Sequence, residues 1–233
     1  MHRSLLVVAK RPAAGQTKTR LCPPLAAAAA AALYECFLRD TLDIMRSVPG
    51  VARGIVYLPE AATDYFQALA PDMALTVQRG ADLGARLDYL LNEALAGGVD
   101  QAVVMDSDSP TLPAAYVAEA FARLDGDADV VLGPCDDGGY YLIGLKRPQP
   151  RLFREVQMST PFVVRDTLAL ADALGMRVAL LPTWYDVDTA AELERLRAEL
   201  AGSRDGAARH TRAFLYHERH EGSKNTHLRD LRG

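Results

Sequence analysis

The chain has 233 residues, of which 49% are hydrophobic, and it carries a formal net charge of −4. This length and apolar content suit one α/β domain with a sizeable core, and the acidic balance excludes a global field that attracts nucleic acid or an anionic membrane. Three widely spaced cysteines fit neither a disulfide framework nor a zinc site, and no apolar run is long enough to span a membrane, so we expect a cytoplasmic protein whose partners are small molecules.

Short apolar runs predict seven β-strands, at residues 4–10, 54–59, 74–78, 101–106, 128–134, 140–145 and 177–182. Most of these runs are apolar throughout, which is typical of strands covered on both faces in a largely parallel sheet. Helical patterns lie between them, at about 25–48, 62–70, 84–96, 114–124, 162–174 and 190–201. The alternation predicts a three-layer α/β/α domain with a mostly parallel, Rossmann-like sheet, whose ligand site lies at the carboxyl ends of the strands.

The composition changes after residue 202. Residues 203–233 hold seven lysines and arginines, four acidic residues and four of the five histidines, and few apolar residues. We therefore expect one domain over residues 1–202 and a polar, solvated C-terminal extension over residues 203–233. The histidines at 217 and 220 lack a third ligand, so the extension does not predict a metal site.

A cationic loop, "AKRPAAGQTKTRL", follows the first strand. The usual phosphate-binding loop has two glycines before its Lys-Ser/Thr pair, whereas here only Gly15 precedes Lys18 and Thr19, so that motif is absent. The turn can still present backbone N–H groups to an anion, and Lys10, Lys18 and Arg20 add cations. The loop predicts a phosphate site, and a solvated basic surface is the alternative.

Acidic pairs follow two of the later strands. Asp106 and Asp108 can point the same way because side chains alternate along a strand, and Asp186 and Asp188 repeat this spacing. Carboxylate oxygens suit Mg²⁺ or Mn²⁺, and either ion can also bind a diphosphate. A turn or helix-capping role is the alternative for Asp108, and Asp188 or the following Thr189 can cap the next helix.

Two glycine loops also fall at strand ends. Gly138 and Gly139 follow Asp137 and permit a positive φ or the close approach of another backbone, although a hairpin turn explains an Asp-Gly pair equally well. Gly80 and Gly84 lie where a helix begins, so that its free N–H groups can face a ligand. Neither loop identifies a ligand by itself.

Five ordered segments together are similar to a known family: Lys18–Leu21, Gln78–Arg86, Asp108–Pro113, Asp137–Gly144 and Asp186–Thr189. They resemble the motifs of an uncharacterised bacterial family of GT-A-fold, glycosyltransferase-like proteins, and the resemblance covers about residues 4–200. The wider superfamily, the nucleotide-diphospho-sugar transferases, includes the molybdenum-cofactor and phospholactate guanylyltransferases. The sequence departs from the family pattern at Asp106, Thr111, Met158 and Glu192, and these departures bear on the acceptor specificity more than on the metal site.

The resemblance implies that residues 1–202 are a GT-A-like, nucleotide-dependent transferase domain that binds Mg²⁺ or Mn²⁺. Candidate nucleotide and phosphate ligands are Lys10, Gly15, Lys18, Thr19, Arg20, Gly80, Gly84 and Arg86. Candidate metal ligands are Asp108, Asp106, Asp186 and Asp188. The candidate catalytic base is Asp137, with Asp136 as its substitute, and the candidate acceptor pocket is formed by Gly138, Gly139 and Tyr140.

Three functions fit these residues. The leading hypothesis is metal-dependent glycosyl transfer from a nucleoside-diphosphate sugar to a small-molecule acceptor, in which Lys18, Arg20 and the cation stabilise the leaving diphosphate. The first alternative is nucleotidyl transfer, in which a substrate phosphate attacks an NTP and pyrophosphate leaves. The second is a non-catalytic nucleotide-binding module. A dehydrogenase is excluded because the sequence contains no Gly-x-Gly-x-x-Gly motif.

Overall fold

The computed structural model describes residues 1–203 and 206–218. Its strands are β1 (Arg3–Lys10), β2 (Ala52–Leu58), β3 (Ala74–Val77), β4 (Gln101–Met105), β5 (Val130–Pro134), β6 (Tyr140–Leu145) and β7 (Val178–Leu180). They form one sheet in the order β3-β2-β1-β4-β6-β5-β7. All the predicted strands are confirmed. They were visible in the sequence because buried strands are largely apolar, as in β4, whose five residues are all buried.

The sheet is mostly parallel, which confirms the predicted α/β class. β6 is the exception, because it runs antiparallel to both β4 and β5. The carboxyl ends of β1, β4, β5 and β7 therefore lie along one edge of the sheet together with the amino end of β6. We call this edge the rim.

Helices cover both faces of the sheet: α1 (Ala27–Ser47), α2 (Thr63–Leu69), α3 (Leu83–Ala96), α4 (Ala114–Asp125), α5 (Arg151–Arg154), α6 (Val163–Ala173) and α7 (Ala190–Gly202). One buried cluster contains side chains of α1, α2, α4 and α7, and a second contains those of α3, α5 and α6. The predicted three layers are therefore present. The sequence did not predict α5, because four residues are too few to show a helical period.

Among the described helices, none combines the length and the apolar character needed to cross a bilayer. The cytoplasmic location stays a prediction.

The C-terminal strap, residues 206–218, packs against α1, and its residues 209–218 form helix α8. The buried carboxylate of Asp40 accepts hydrogen bonds from the backbone N–H groups of His210 and Thr211, each at 2.9 Å. Leu215 is buried in the same cluster as α1. Composition predicted a solvated extension, but these residues have a helix cap and an apolar anchor, so for them that expectation is wrong. Residues 219–233 of the extension lie outside the described residues.

Asp40→Ala is expected to lower the free energy of unfolding by about 2 to 3 kcal/mol, because two hydrogen bonds to a carboxylate are lost at a helix start. Urea unfolding followed by circular dichroism measures this change. Glu35→Ala is the matched control, since it removes an acid of α1 that pairs with the exposed Arg39, and it should cost less than about 1 kcal/mol. Equal costs for the two variants would mean that the two hydrogen bonds of Asp40 add nothing to stability.

Candidate functional site

The cationic loop after β1 turns back over the rim. Gly15 has a φ of +74° and Lys18 a φ of +50°, and a short 3₁₀ helix, Thr19–Leu21, follows. A lysine in the left-handed region is uncommon and is maintained only where the surrounding structure holds it. The loop is therefore bent so that the Lys18 side chain points back toward the other strand ends.

The ammonium group of Lys18 lies between two carboxylates. Its Nζ is 2.7 Å from Oδ1 of Asp108 and 2.8 Å from Oδ1 of Asp188, and the side chain is only 6% exposed. Burial alone would lower the pKa of Lys18, but the charges of Asp108 and Asp188 outweigh it and raise the pKa above its ordinary value. The predicted meeting of the cationic loop with the two acidic strand ends is present.

Arg20 contacts this cluster from outside. Its Nη1 is 3.3 Å from Oδ2 of Asp188, and its side chain is 68% exposed. Lys10 is also exposed, while its backbone N–H donates to the hydroxyl of Tyr34 at 3.1 Å. Tyr34 in turn hydrogen-bonds Ser107 at 2.9 Å. The sequence analysis missed Tyr34, because nothing in the periodicity of α1 separates a residue that links two site loops from an ordinary core aromatic.

Asp106 orders the turn that carries Asp108. Its Oδ1 accepts the backbone N–H of Asp108 at 3.3 Å, and its Oδ2 accepts the hydroxyl of Ser109 at 3.1 Å. Burial raises the pKa of Asp106 well above its ordinary value, and the nearby charges of Asp108 and Asp186 add to the shift. Both oxygens are engaged within the protein, so this geometry favours a turn-forming role over the predicted metal-binding role.

Asp186 carries a charge that the described protein does not neutralise. Among the described residues it takes part in no ion pair, and its carboxylate, that of Asp137 and the thiol of Cys135 lie within 4.8 Å of one another. Burial, and then the charges of Asp137 and Asp188, raise the pKa of Asp186 to about 6. Burial also raises the pKa of Cys135, so that this thiol stays protonated near neutral pH.

These acids fit a hard divalent cation. Asp108 and Asp186 offer carboxylate oxygens, and the repulsion from acidic neighbours that adds to the effect of burial on the pKa of Asp186 is relieved when a cation lies beside it. Protonated Cys135 is a poor ligand for Mg²⁺ or Mn²⁺. Carboxylate donors of this kind suit Mg²⁺ or Mn²⁺ better than a soft metal ion.

Asp136 and Asp137 have different surroundings, although they are neighbours. Asp137 is exposed, and its Oδ1 accepts the backbone N–H of Gly139 at 2.8 Å. Asp136 forms an ion pair with Arg195 of α7, with Nη1 and Oδ2 2.5 Å apart. The guanidinium neutralises Asp136, so Asp137 is the more available base. Sequence reasoning missed Arg195 because its partner lies on a distant segment.

The predicted acceptor residues are partly covered. Gly138 has a φ of +89°, and a Cβ atom there would lie 2.0 Å from the carbonyl oxygen of Pro161, so this backbone packs directly over the glycine. The hydroxyl of Tyr140 lies 3.7 Å from Sδ of Met158. The close contact with Pro161 thus holds the turn at Gly138 in place, and Tyr140 faces Met158.

The second glycine loop is fixed by internal contacts. A Cβ atom on Gly84 would lie 2.3 Å from the carbonyl oxygen of Phe153, which shows that α3 packs closely on α5. The guanidinium of Arg86 donates to the carbonyl of Gly80 at 3.1 Å. Contacts within the protein therefore account for the glycine at position 84 and for the orientation of Arg86. The predicted contact of these two residues with a nucleotide stays a prediction. A pocket of about 560 Å³ lies beside Gly84 and Met158.

Asp186→Asn is expected to stabilise the metal-free protein above pH 6 and to have little effect near pH 4. The folded protein holds the Asp186 proton up to about pH 6, whereas the unfolded chain loses it near pH 4, so stability falls as the pH rises between these values. The asparagine variant lacks this titration. Urea unfolding in EDTA at several pH values measures the difference, and a constant difference between the two proteins would contradict the prediction.

Comparison with known proteins identifies the family of this chain. Residues 41–160 match the profile of a bacterial family described as "Uncharacterized protein conserved in bacteria (DUF2064)". The chain belongs to this family. The result confirms the resemblance seen in the five motifs. A search of curated proteins found no significant match.

Solved structures show the same fold. A crystal structure from Desulfovibrio desulfuricans G20, provisionally named a nucleotide-diphospho-sugar transferase, is 32% identical and superposes with a TM-score of 0.86 over 93% of this chain and 95% of that one. CMP:2-keto-3-deoxy-manno-octonic acid synthetase, complexed with CTP, is 13% identical, with a TM-score of 0.58 over 86% of this chain and 99% of that one. A cytidylyltransferase from Leptospira borgpetersenii is 14% identical, with a TM-score of 0.54 over 96% of each chain. The DUF2064 chain therefore has the fold of nucleotide-dependent transferases.

Proposed function

We propose that this DUF2064 protein is a metal-dependent glycosyltransferase that uses a nucleoside-diphosphate sugar and a small-molecule acceptor. The observation that carries the proposal is the uneven charge of the rim. Lys18, Arg20 and Lys10 lie at the β1 side, whereas Asp137 and Asp186 lie at the β5 and β7 side without a basic partner among the described residues. A polyanionic donor suits the first side and an uncharged acceptor suits the second.

The donor diphosphate would contact the loop after β1. Lys18 and Arg20 provide charged N–H donors close to the ends of β4 and β7, and the turn at Gly15 provides backbone N–H groups. Negative charge builds up on the diphosphate as the sugar leaves, so donors that are already in place stabilise the transition state. This arrangement needs no covalent intermediate on a serine or cysteine.

Asp108 and Asp186 are the residues that would hold Mg²⁺ or Mn²⁺, with Asp188 as a further ligand. A bound cation supplies positive charge for the leaving diphosphate. The turn formed by Asp106 keeps Asp108 in position, and a hydrogen bond from the N–H of Val187 to the carbonyl of Asp108, at 2.9 Å, ties the two acidic loops together. The protein therefore fixes these ligands from two strand ends at once.

Asp137 is the candidate base. The N–H of Gly139 orients its carboxylate by binding Oδ1, and exposure leaves the other oxygen accessible to an acceptor hydroxyl. In an inverting reaction this oxygen takes the acceptor proton. Asp136 is less suited to the task, because Arg195 holds its carboxylate.

Nucleotidyl transfer is the second candidate, and the cytidylyltransferase neighbours favour it. That reaction uses an ionised phosphate as the nucleophile and needs no base. A phosphorylated acceptor on the β5 and β7 side would meet the charges of Asp137 and Asp186, which weakens this alternative. A bound cation would reduce that repulsion, so an experiment must decide.

The deciding experiment incubates the protein with Mg²⁺ or Mn²⁺ and panels of NDP-sugars and NTPs. Release of an NDP without pyrophosphate supports glycosyl transfer. Release of pyrophosphate from an NTP would instead identify a nucleotidyltransferase. Tight nucleotide binding without turnover in any panel would identify a non-catalytic module, and no binding of any nucleotide would refute all three functions.

A further inference from the structure

We propose that Lys18 is a built-in substitute for the divalent cation: it holds Asp108 and Asp188 together in the free protein and moves onto the phosphates when a cation arrives with a diphosphate. The proposal rests on the proposed function, because it assumes that this site binds a metal ion and a diphosphate. It adds that the lysine and the metal ion compete for the same carboxylates.

The first step of the argument is the position of the ammonium group. Lys18 Nζ bridges one oxygen of Asp108 and one of Asp188, at 2.7 and 2.8 Å, in a largely buried position. Two carboxylates so close to one cation would repel each other if it left. A positive charge between them therefore stabilises the folded protein, whichever group provides it.

The second step is that the two cations exclude each other. Mg²⁺ binds carboxylate oxygens at about 2.0 to 2.1 Å, with near-octahedral geometry. An ammonium group at hydrogen-bond distance takes up a lone pair of Oδ1 in each carboxylate and repels a doubly charged ion beside it. The ion therefore binds Asp108 and Asp188 more favourably once Lys18 has left at least one of them.

The third step concerns the other contacts of Lys18. Once the carboxylates are neutralised, the described residues offer its ammonium group only weak interactions, and a diphosphate offers stronger ones. Its backbone lies in the left-handed region, with a φ of +50°, on a loop that also contains Gly15. Beyond its carboxylate partners, the ammonium lies 5.8 Å from the ring centres of Tyr34 and Phe37. A diphosphate in front of the loop would offer new anionic partners.

Arg20 keeps its contact with the outer oxygen of Asp188, Oδ2, which Lys18 does not use. This contact would hold Asp188 in position while Lys18 changes partners. The binding of the two ligands is therefore linked. A metal ion alone displaces Lys18 and leaves its ammonium group without an anionic partner, whereas a metal ion with a diphosphate gives Lys18 a new one. Metal and diphosphate should therefore bind cooperatively, and Lys18 should be the source of that cooperativity.

The test measures Mn²⁺ binding by electron paramagnetic resonance and calorimetry, with and without inorganic pyrophosphate, for the wild type and Lys18→Met. Without pyrophosphate, the variant should bind Mn²⁺ at least tenfold more tightly than the wild type. Pyrophosphate should tighten Mn²⁺ binding at least tenfold in the wild type and much less in the variant. Lys146→Met is the matched control, since Lys146 follows β6 at the opposite edge of the sheet, and it should behave as the wild type.

Lys18→Gln is the second variant, because it keeps a polar side chain of similar length in case Lys18→Met does not fold. Unchanged or weaker Mn²⁺ binding by a folded Lys18 variant without pyrophosphate would overturn the proposal. Transfer from NDP-sugars is measured with the wild-type protein in parallel. If the protein transfers the sugar but Lys18 does not compete with Mn²⁺, only this proposal is overturned. If Lys18 competes with Mn²⁺ but no sugar is transferred, only the proposed function is overturned.

Discussion

Asp108→Asn is expected to lower kcat/KM for the nucleoside-diphosphate sugar by about 100- to 1000-fold, the scale of losing one preorganised charge at a reacting centre. The substitution removes a proposed metal ligand and one of the two carboxylates that position Lys18. It leaves the carbonyl of Asp108 free to accept the N–H of Val187, which ties the two acidic loops together. Steady-state kinetics with saturating Mn²⁺ measures the effect.

Asp127→Asn is the control for the loss of a negative charge. Asp127 precedes β5 on the edge of the sheet opposite the rim, and its side chain is 93% exposed. This variant should keep wild-type turnover. Melting temperatures show whether Asp108→Asn is folded. A folded Asp108 variant that retains turnover within threefold of the wild type would show that the chemistry takes place elsewhere.

The fold was predictable because each strand is marked by its own composition. The run at β4 is buried on both faces and four of its five side chains are apolar, so the pattern is visible without any tertiary information. α5 and α8 carry no comparable signal. α5 has four residues, and α8 is stabilised by Asp40, which lies far from it in sequence. Contacts of this kind are fixed by packing and leave no local pattern.

The location of the site was predictable for a geometric reason. Parallel strands deliver the residues that follow them to one edge, so Lys18, Asp108 and Asp188 were expected on the same rim, where the structure brings them into contact. Their pairing was not predictable. The same acidic spacing gave Asp106 and Asp108 equal claims as ligands, and only the hydrogen bonds of Asp106 within its turn separate them.

Glycines were the least informative residues in the sequence. Gly15 and Gly84 are candidate nucleotide ligands and Gly138 is a candidate acceptor residue, but the three glycines have different surroundings. A Cβ atom on Gly15 would meet nothing within 4 Å, whereas on Gly84 or Gly138 it would overlap a backbone carbonyl. Sequence shows that a glycine is present and leaves open whether a turn, a ligand or another segment requires it.

Gly138→Ala is accordingly expected to lower the free energy of unfolding by about 2 to 5 kcal/mol. Its positive φ costs an L-residue about 1 to 2 kcal/mol, and overpacking costs typically about 1 to 3 kcal/mol more. The overpacking arises because the added Cβ would lie 2.0 Å from the carbonyl oxygen of Pro161, which belongs to backbone and cannot rotate away. Urea unfolding measures the loss.

Gly175→Ala separates the two causes. Gly175 has a φ of +69°, and a Cβ atom there would meet nothing within 4 Å, so this variant should show only the backbone cost of about 1 to 2 kcal/mol. The excess cost at Gly138 then measures how tightly the segment around Pro161 presses on the turn that carries Asp137. Because that turn orients the proposed base, Gly138→Ala should also reduce turnover in the fraction that remains folded, whereas Gly175→Ala should not. Equal destabilisation by the two variants would mean that the backbone around Pro161 can shift at little cost and does not hold Asp137 in position.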